Sequence, residues 1–226
     1  MSIPSAISPI PGLAALSSLV GLVVGVLVLV ILLATVGAFV VIVVANRAEA
    51  DPSGRRPAVV YLFGASFVTV WTALIGSAAA VSSLFQLIGS HPGMGGGSLH
   101  PVGDAVARGA VLGGLVLAVS LAVLVTHLRR GVTIATAPAA TRVAQSYVSA
   151  VSFVSVLIVA FSLAYIAYAI CQIAGPGVFH GDGRIPTLRH LLDAIWVALA
   201  AGAILGSHLR LARPRVWSGG APAASA

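Results

Sequence analysis

Five stretches of this sequence, 12–45, 58–88, 105–127, 148–174 and 188–209, each run for more than twenty residues with almost no charge. A helix needs about 20 apolar residues to cross a bilayer. In lipid the backbone must satisfy its own hydrogen bonds, so runs of this kind fold as helices. The first is the extreme case, with 34 consecutive uncharged residues from Gly12 to Ala45. It spans with length to spare, by tilting or by projecting from the bilayer. The preceding "MSIPSAISPIPG" has no basic residue, and the run is far longer than the roughly 7–15 residues of a signal-peptide core. It is read as a retained helix. The fold expected is therefore all-α: an integral membrane protein with five transmembrane helices.

The connections are "NRAEADPSGRRP", "GSHPGMGGGSLHPVGD", "LRRGVTIATAPAATRVAQS" and "GPGVFHGDGRIPT". They are short and rich in Gly, Pro or small polar residues, as turns between packed helices are. The organisation expected is an N-terminal transmembrane helix (1–46), a four-helix membrane domain (47–213) and a low-complexity, disordered cytoplasmic tail (214–226).

Only 8% of the residues are charged, against about 25% in soluble domains. The net charge of +7 comes entirely from arginine, since all twelve basic residues are Arg. Arg47, Arg55, Arg56, Arg129, Arg130, Arg142, Arg210, Arg213 and Arg215 fall in one alternating set of connections, and Arg108, Arg184 and Arg189 in the other. Nine against three places the N-terminus outside and the C-terminus in the cytoplasm. The arginines flank apolar runs and form no basic face, so no nucleic-acid partner is read from them. Trp217, past the last run, suits an interfacial anchor. The lack of lysine excludes a phosphate-loop lysine and Schiff-base chemistry. Beside abundant Ala, Gly, Val and Pro, it points to a GC-rich bacterial genome, hence a bacterial plasma membrane. No Ser/His/Asp order, carboxylate pair or HExxH motif is present, and the chain is read as non-catalytic. The single Cys171 can form no intramolecular disulfide.

An offset of 86 residues lays 58–88 over 148–174: Arg56 on Arg142, Tyr61 on Tyr147, "SFV" (66–68) on "SFV" (152–154), Gln86 on Gln172 and Gly89 on Gly175. An offset of 81 lays 105–127 over 188–209: Arg108 on Arg189, and "HLR" (127–129) on "HLR" (208–210). The chain reads as two tandem hairpins, 56–130 and 142–213, parallel repeats related by an axis along the membrane normal.

These openings and closings resemble a bacterial multi-pass membrane family described as a domain of unknown function. Its copies open with Arg-Arg-x-Tyr-Leu-Tyr-like stretches and close with His-Trp-Arg-like ones. The matching residues are Arg55, Arg56, Tyr61, His127, Arg129 and Arg130, then Arg142, Tyr147, His208 and Arg210. Leu128 and Leu209 stand where the family has an aromatic. The resemblance covers about 55–213 and implies a fold but no activity.

Three constellations are candidate sites. His127 and His208, at equivalent depths, are able to ligate a b-type haem; otherwise they mark two interfacial helix ends, with the neighbouring arginines reaching the headgroups. His91, Met94, His100, His180 and Asp182 in the outer loops include metal-ligating types. Their spacing fits no fixed metal motif, and "HPGMGGGSLHP" carries a large ordering cost. Asp193 lies about two turns into 188–209, with Arg189 and His190 nearby. An acid at that depth is a candidate for proton or cation handling. The expected arrangement is the plainer one, Arg189 and His190 neutralising it near the surface, with Arg189–Asp193 an ion pair at i, i+4. Gln86 and Gln172 join this set as helix-to-helix hydrogen bonders.

The leading reading is a non-catalytic accessory or assembly subunit, binding other membrane proteins or itself through its helices, with no cofactor. A small-solute or ion carrier centred on Asp193, Arg189, Gln86 and Gln172 is the second. A b-type haem protein using His127 and His208 is the third.

Overall fold

The structure, a computed structural model, describes residues 51, 54–89, 100–135, 138–175 and 183–211. These form four helices: α1 (Arg56–Phe85), α2 (His100–Ile134), α3 (Pro138–Ala174) and α4 (Arg184–Leu211). Each is long and apolar enough to cross a membrane. The expected fifth helix at 1–46 and the tail at 214–226 lie outside the described residues.

α1 starts where the Asp51 carboxylate accepts a hydrogen bond from the Arg56 backbone N–H at 2.9 Å. Pro57 follows in the first turn, where a missing N–H costs nothing. Beyond Phe85 the chain leaves the helix at Gly89, whose φ of +73° is the left-handed conformation that glycine adopts freely. A side chain there would collide with Ile185 of α4. Several hydroxyls inside the apolar helices are satisfied locally. Ser66 donates to Leu62 O at 2.8 Å, Thr69 to Ala65 O at 2.9 Å and Ser155 to Val151 O at 2.8 Å, so a polar group is carried without facing lipid unpaired.

The expected connection 128–146 is much shorter in the structure. α2 continues to Ile134 and α3 begins at Pro138. A connection containing glycine and proline need not be a turn throughout. Gly131 lies inside α2, where a Cβ would meet the Phe63 ring at 3.3 Å, and Pro138 sits at a helix start, where proline is welcome.

The helices run alternately in opposite directions. Phe63, near the start of α1, packs at Gly131 near the end of α2, while Ser83 near the end of α1 meets Gly109. The Phe63 and Tyr147 rings are 5.0 Å apart, which puts the starts of α1 and α3 at the same end. His208 near the end of α4 bonds Tyr147 there. α1 and α2 are in backbone contact. A Cβ on Gly76 would lie 2.7 Å from Leu117 N, and one on Gly113 would lie 2.8 Å from Gly76 O. Small residues let helices approach this closely in lipid, where dispersion rather than the hydrophobic effect drives association.

The tightest core is at the arginine-bearing end. Val59, Phe63, Phe67 and Val70 of α1 pack with Val143, Ala144, Tyr147, Val148 and Val151 of α3, closed by Ala135. α1 is thus the central helix. α2, α3 and α4 expose large apolar side chains, among them Val119, Leu163 and Leu199, as lipid-facing surfaces do.

Candidate functional site

The end opposite this core holds the carrier set. α1 and α4 meet there in antiparallel register, and two hydrogen bonds one helical turn apart on each helix join them. Ser82 Oγ donates to Asp193 Oδ2 at 3.2 Å. One turn nearer the end, Arg189 Nη1 donates to Gln86 Oε1 at 3.1 Å. The same guanidinium also holds the carbonyl of Ile88, with Nη2 at 2.6 Å and Nε at 3.0 Å.

This corrects the expected Arg189–Asp193 ion pair. Arg189 reaches across to the turn that follows α1, where the carbonyl of Ile88 accepts from it near the negative end of that helix's dipole. The guanidinium fork suits that position. An Arg placed before an Asp at i, i+4 is also the weaker order for such a pair. Asp193, left to the hydroxyl of Ser82, lines a cleft of about 410 Å³ between α1 and α4, walled by Ile75, Ala78, Ala79, Trp196 and Val197. The cleft lies between the two hairpins. Gln172 is on α3, three residues before its last turn closes at Gly175.

The histidines occupy two Tyr–His pairs, one in each hairpin. In the first, the Tyr61 and His127 rings are 5.8 Å apart and His127 Nδ1 lies 2.9 Å from Val123 O. In the second, Tyr147 Oη lies 2.9 Å from His208 Nε2, and His208 Nδ1 lies 2.8 Å from Ile204 O. A carbonyl only accepts, so Nδ1 of each histidine carries the hydrogen and donates it. Nε2 of neutral His208 then accepts from the Tyr147 hydroxyl. Iron binding at this nitrogen would require breaking that bond. Tyr147 and His208 are buried at 0% and 3% exposure, whereas Tyr61 is 66% exposed. The cause is α1: Phe63 covers Tyr147 on the inside of the bundle, while Tyr61 points out.

Of the outer-loop metal candidates, His91, Met94, His180 and Asp182 lie outside the described residues, and His100 opens α2. Among the described residues no three or more His, Cys, Asp or Glu side chains gather.

Sequence reasoning missed Ser82 and Trp196. Ser82 stands one turn before Gln86 in "GSAAAVSSLFQ", and Arg189 one turn before Asp193. That matched spacing was the available signal, because antiparallel helices bring such pairs into successive rungs. The chain matches no family model, no curated protein and no solved structure, so its chemistry is read from its own residues.

Proposed function

We propose that this chain is a non-catalytic multi-pass protein of a bacterial plasma membrane that recognises a cationic solute or ion at Asp193. The observation that carries the reading is the direction of Arg189. The guanidinium one turn from Asp193 on its own helix is directed to the turn after α1, which leaves His190 as the charged neighbour on α4, and the carboxylate lines a cleft between two hairpins. An acid at membrane depth is costly unless it is paired, hydrogen-bonded or protonated, which makes it a functional candidate by default. The arginines at the start of α1, the end of α2, the start of α3 and the end of α4 support a cytoplasmic C-terminus. The test is cation flux into proteoliposomes that hold the purified full chain, read with a pH- or sodium-sensitive dye for those ions and with radiolabelled organic cations for larger solutes. Asp193→Asn is expected to abolish flux while the protein still folds. Equal flux in both proteins would dismiss the carrier.

A second reading, the accessory or assembly subunit, is favoured by the exposed apolar faces of α2 and α3, such as Val111, Leu115 and Val119, and Phe153, Val156 and Leu163. Its test is co-purification of one defined membrane partner in stoichiometric amount from mild detergent. The duplication of the hairpin is part of this reading, and the Tyr61–His127 and Tyr147–His208 contacts fall at positions that the two offsets match.

A further inference from the structure

The cleft at Asp193 is specific about what kind of cation it suits. Its walls are aliphatic, Ile75, Ala78, Ala79 and Val197, with Trp196 completing the lining. Ile75 and Trp196 are exposed at its rim, so the cleft opens sideways from the bundle, toward the bilayer. Among the described lining residues the polar side chains that face one another are the Asp193 carboxylate and the Ser82 hydroxyl, already joined at 3.2 Å, with His190 a charged neighbour on α4.

A small inorganic cation is poorly served by this set. Calcium takes about 6–8 oxygen ligands, and magnesium sheds its water reluctantly. Two carboxylate oxygens and one hydroxyl do not replace a hydration shell, and the surrounding helix carbonyls are committed to their own ladder. A large cation with diffuse charge makes the opposite demand. It is weakly hydrated, gains from apolar walls, needs one counter-charge, and is attracted to an aromatic face. The volume of about 410 Å³ falls within the roughly 300–1,000 Å³ of small-molecule sites.

We infer that the α1–α4 cleft binds a lipophilic organic cation that enters from the membrane, with Asp193 as counter-ion, Trp196 as aromatic wall and Ser82 orienting the carboxylate. This names the solute class for the reading proposed above and rests on it.

The experiment is equilibrium binding of tetraphenylphosphonium to the purified full chain in detergent, with folding monitored by thermal unfolding. Saturable binding is expected at one cation per chain. Asp193→Asn is expected to weaken it about ten-fold or more, and Asp193→Glu to retain it more closely. Trp196→Leu, which keeps an apolar wall without the aromatic face, is expected to weaken it by a smaller factor. Neutral tetraphenylmethane is expected not to compete. Equal binding by folded Asp193→Asn would mean partition into an apolar surface and would overturn the inference. No binding by the folded wild type would overturn it too, as when the 12–45 run or a partner helix fills the cleft. If tetraphenylphosphonium fails while Asp193-dependent flux of protons or sodium persists, this ligand class falls and the carrier reading stands.

Discussion

The hydroxyl of Tyr147 lies 2.9 Å from Nε2 of His208, inside the bundle and between two helices of one hairpin. With Nδ1 held by Ile204 O, the imidazole has both nitrogens satisfied. Tyr147→Phe leaves Nε2 buried without a donor, and an unmade buried hydrogen bond costs about 1–3 kcal/mol. Unfolding of the purified protein is expected at lower temperature in Tyr147→Phe. The exposed Tyr61 predicts a change within about 0.5 kcal/mol for Tyr61→Phe. Equal effects of the two substitutions would contradict the asymmetry between the pairs. A haem absorption band lost in His208→Ala would show that iron displaces Tyr147.

The contact between α1 and α2 predicts that glycine matters at some positions of "GAVLGG" and not at others. A Cβ at Gly113 lies 2.8 Å from Gly76 O, whereas one at Gly114 has nothing within 4 Å. Gly113→Val is expected to destabilise by about 1–3 kcal/mol through overpacking. Gly114→Ala is expected to be neutral or slightly stabilising, since alanine favours the helix. Thermal or denaturant unfolding of the two variants checks the order, and its reversal would disprove the helix register.

Arg189 and Asp193 are predicted to act through different partners. Arg189→Ala removes a charged donor from Ile88 O and Gln86, at an expected cost of about 1.5–3 kcal/mol. Asp193→Asn keeps an oxygen for Ser82 and is expected to cost under about 1 kcal/mol. In double-mutant cycles the Ser82–Asp193 coupling should exceed the Arg189–Asp193 coupling. The reverse order would restore the ion pair within α4.

Orientation is tested by labelling on a Cys171→Ala background, because Cys171 is itself exposed. Single cysteines placed within 91–100 are expected to react with an impermeant maleimide on intact cells, and those within 134–140 are not. Labelling confined to the second region would invert the topology.

The sequence by itself determined that 58–88, 105–127, 148–174 and 188–209 are helical, because lipid offers a backbone no other way to pair its polar groups. It also placed the arginines at helix ends. Helix limits were less legible: glycine only weakens a helix, so packing on Phe63 holds Gly131 within one, and proline breaks a helix interior but is tolerated in the first turn, where Pro138 stands. Tertiary structure decided the site. The i, i+4 spacing of Arg189 and Asp193 names neighbours on one helix, but the carbonyl of Ile88 competes from another, and a sequence pattern does not price that competition. The two Tyr–His pairs make the same point. Their motifs read alike, yet only Tyr147 is covered by Phe63, since α1 lies inside the bundle on that side. Burial belongs to the packing of all four helices, and no one helix encodes it.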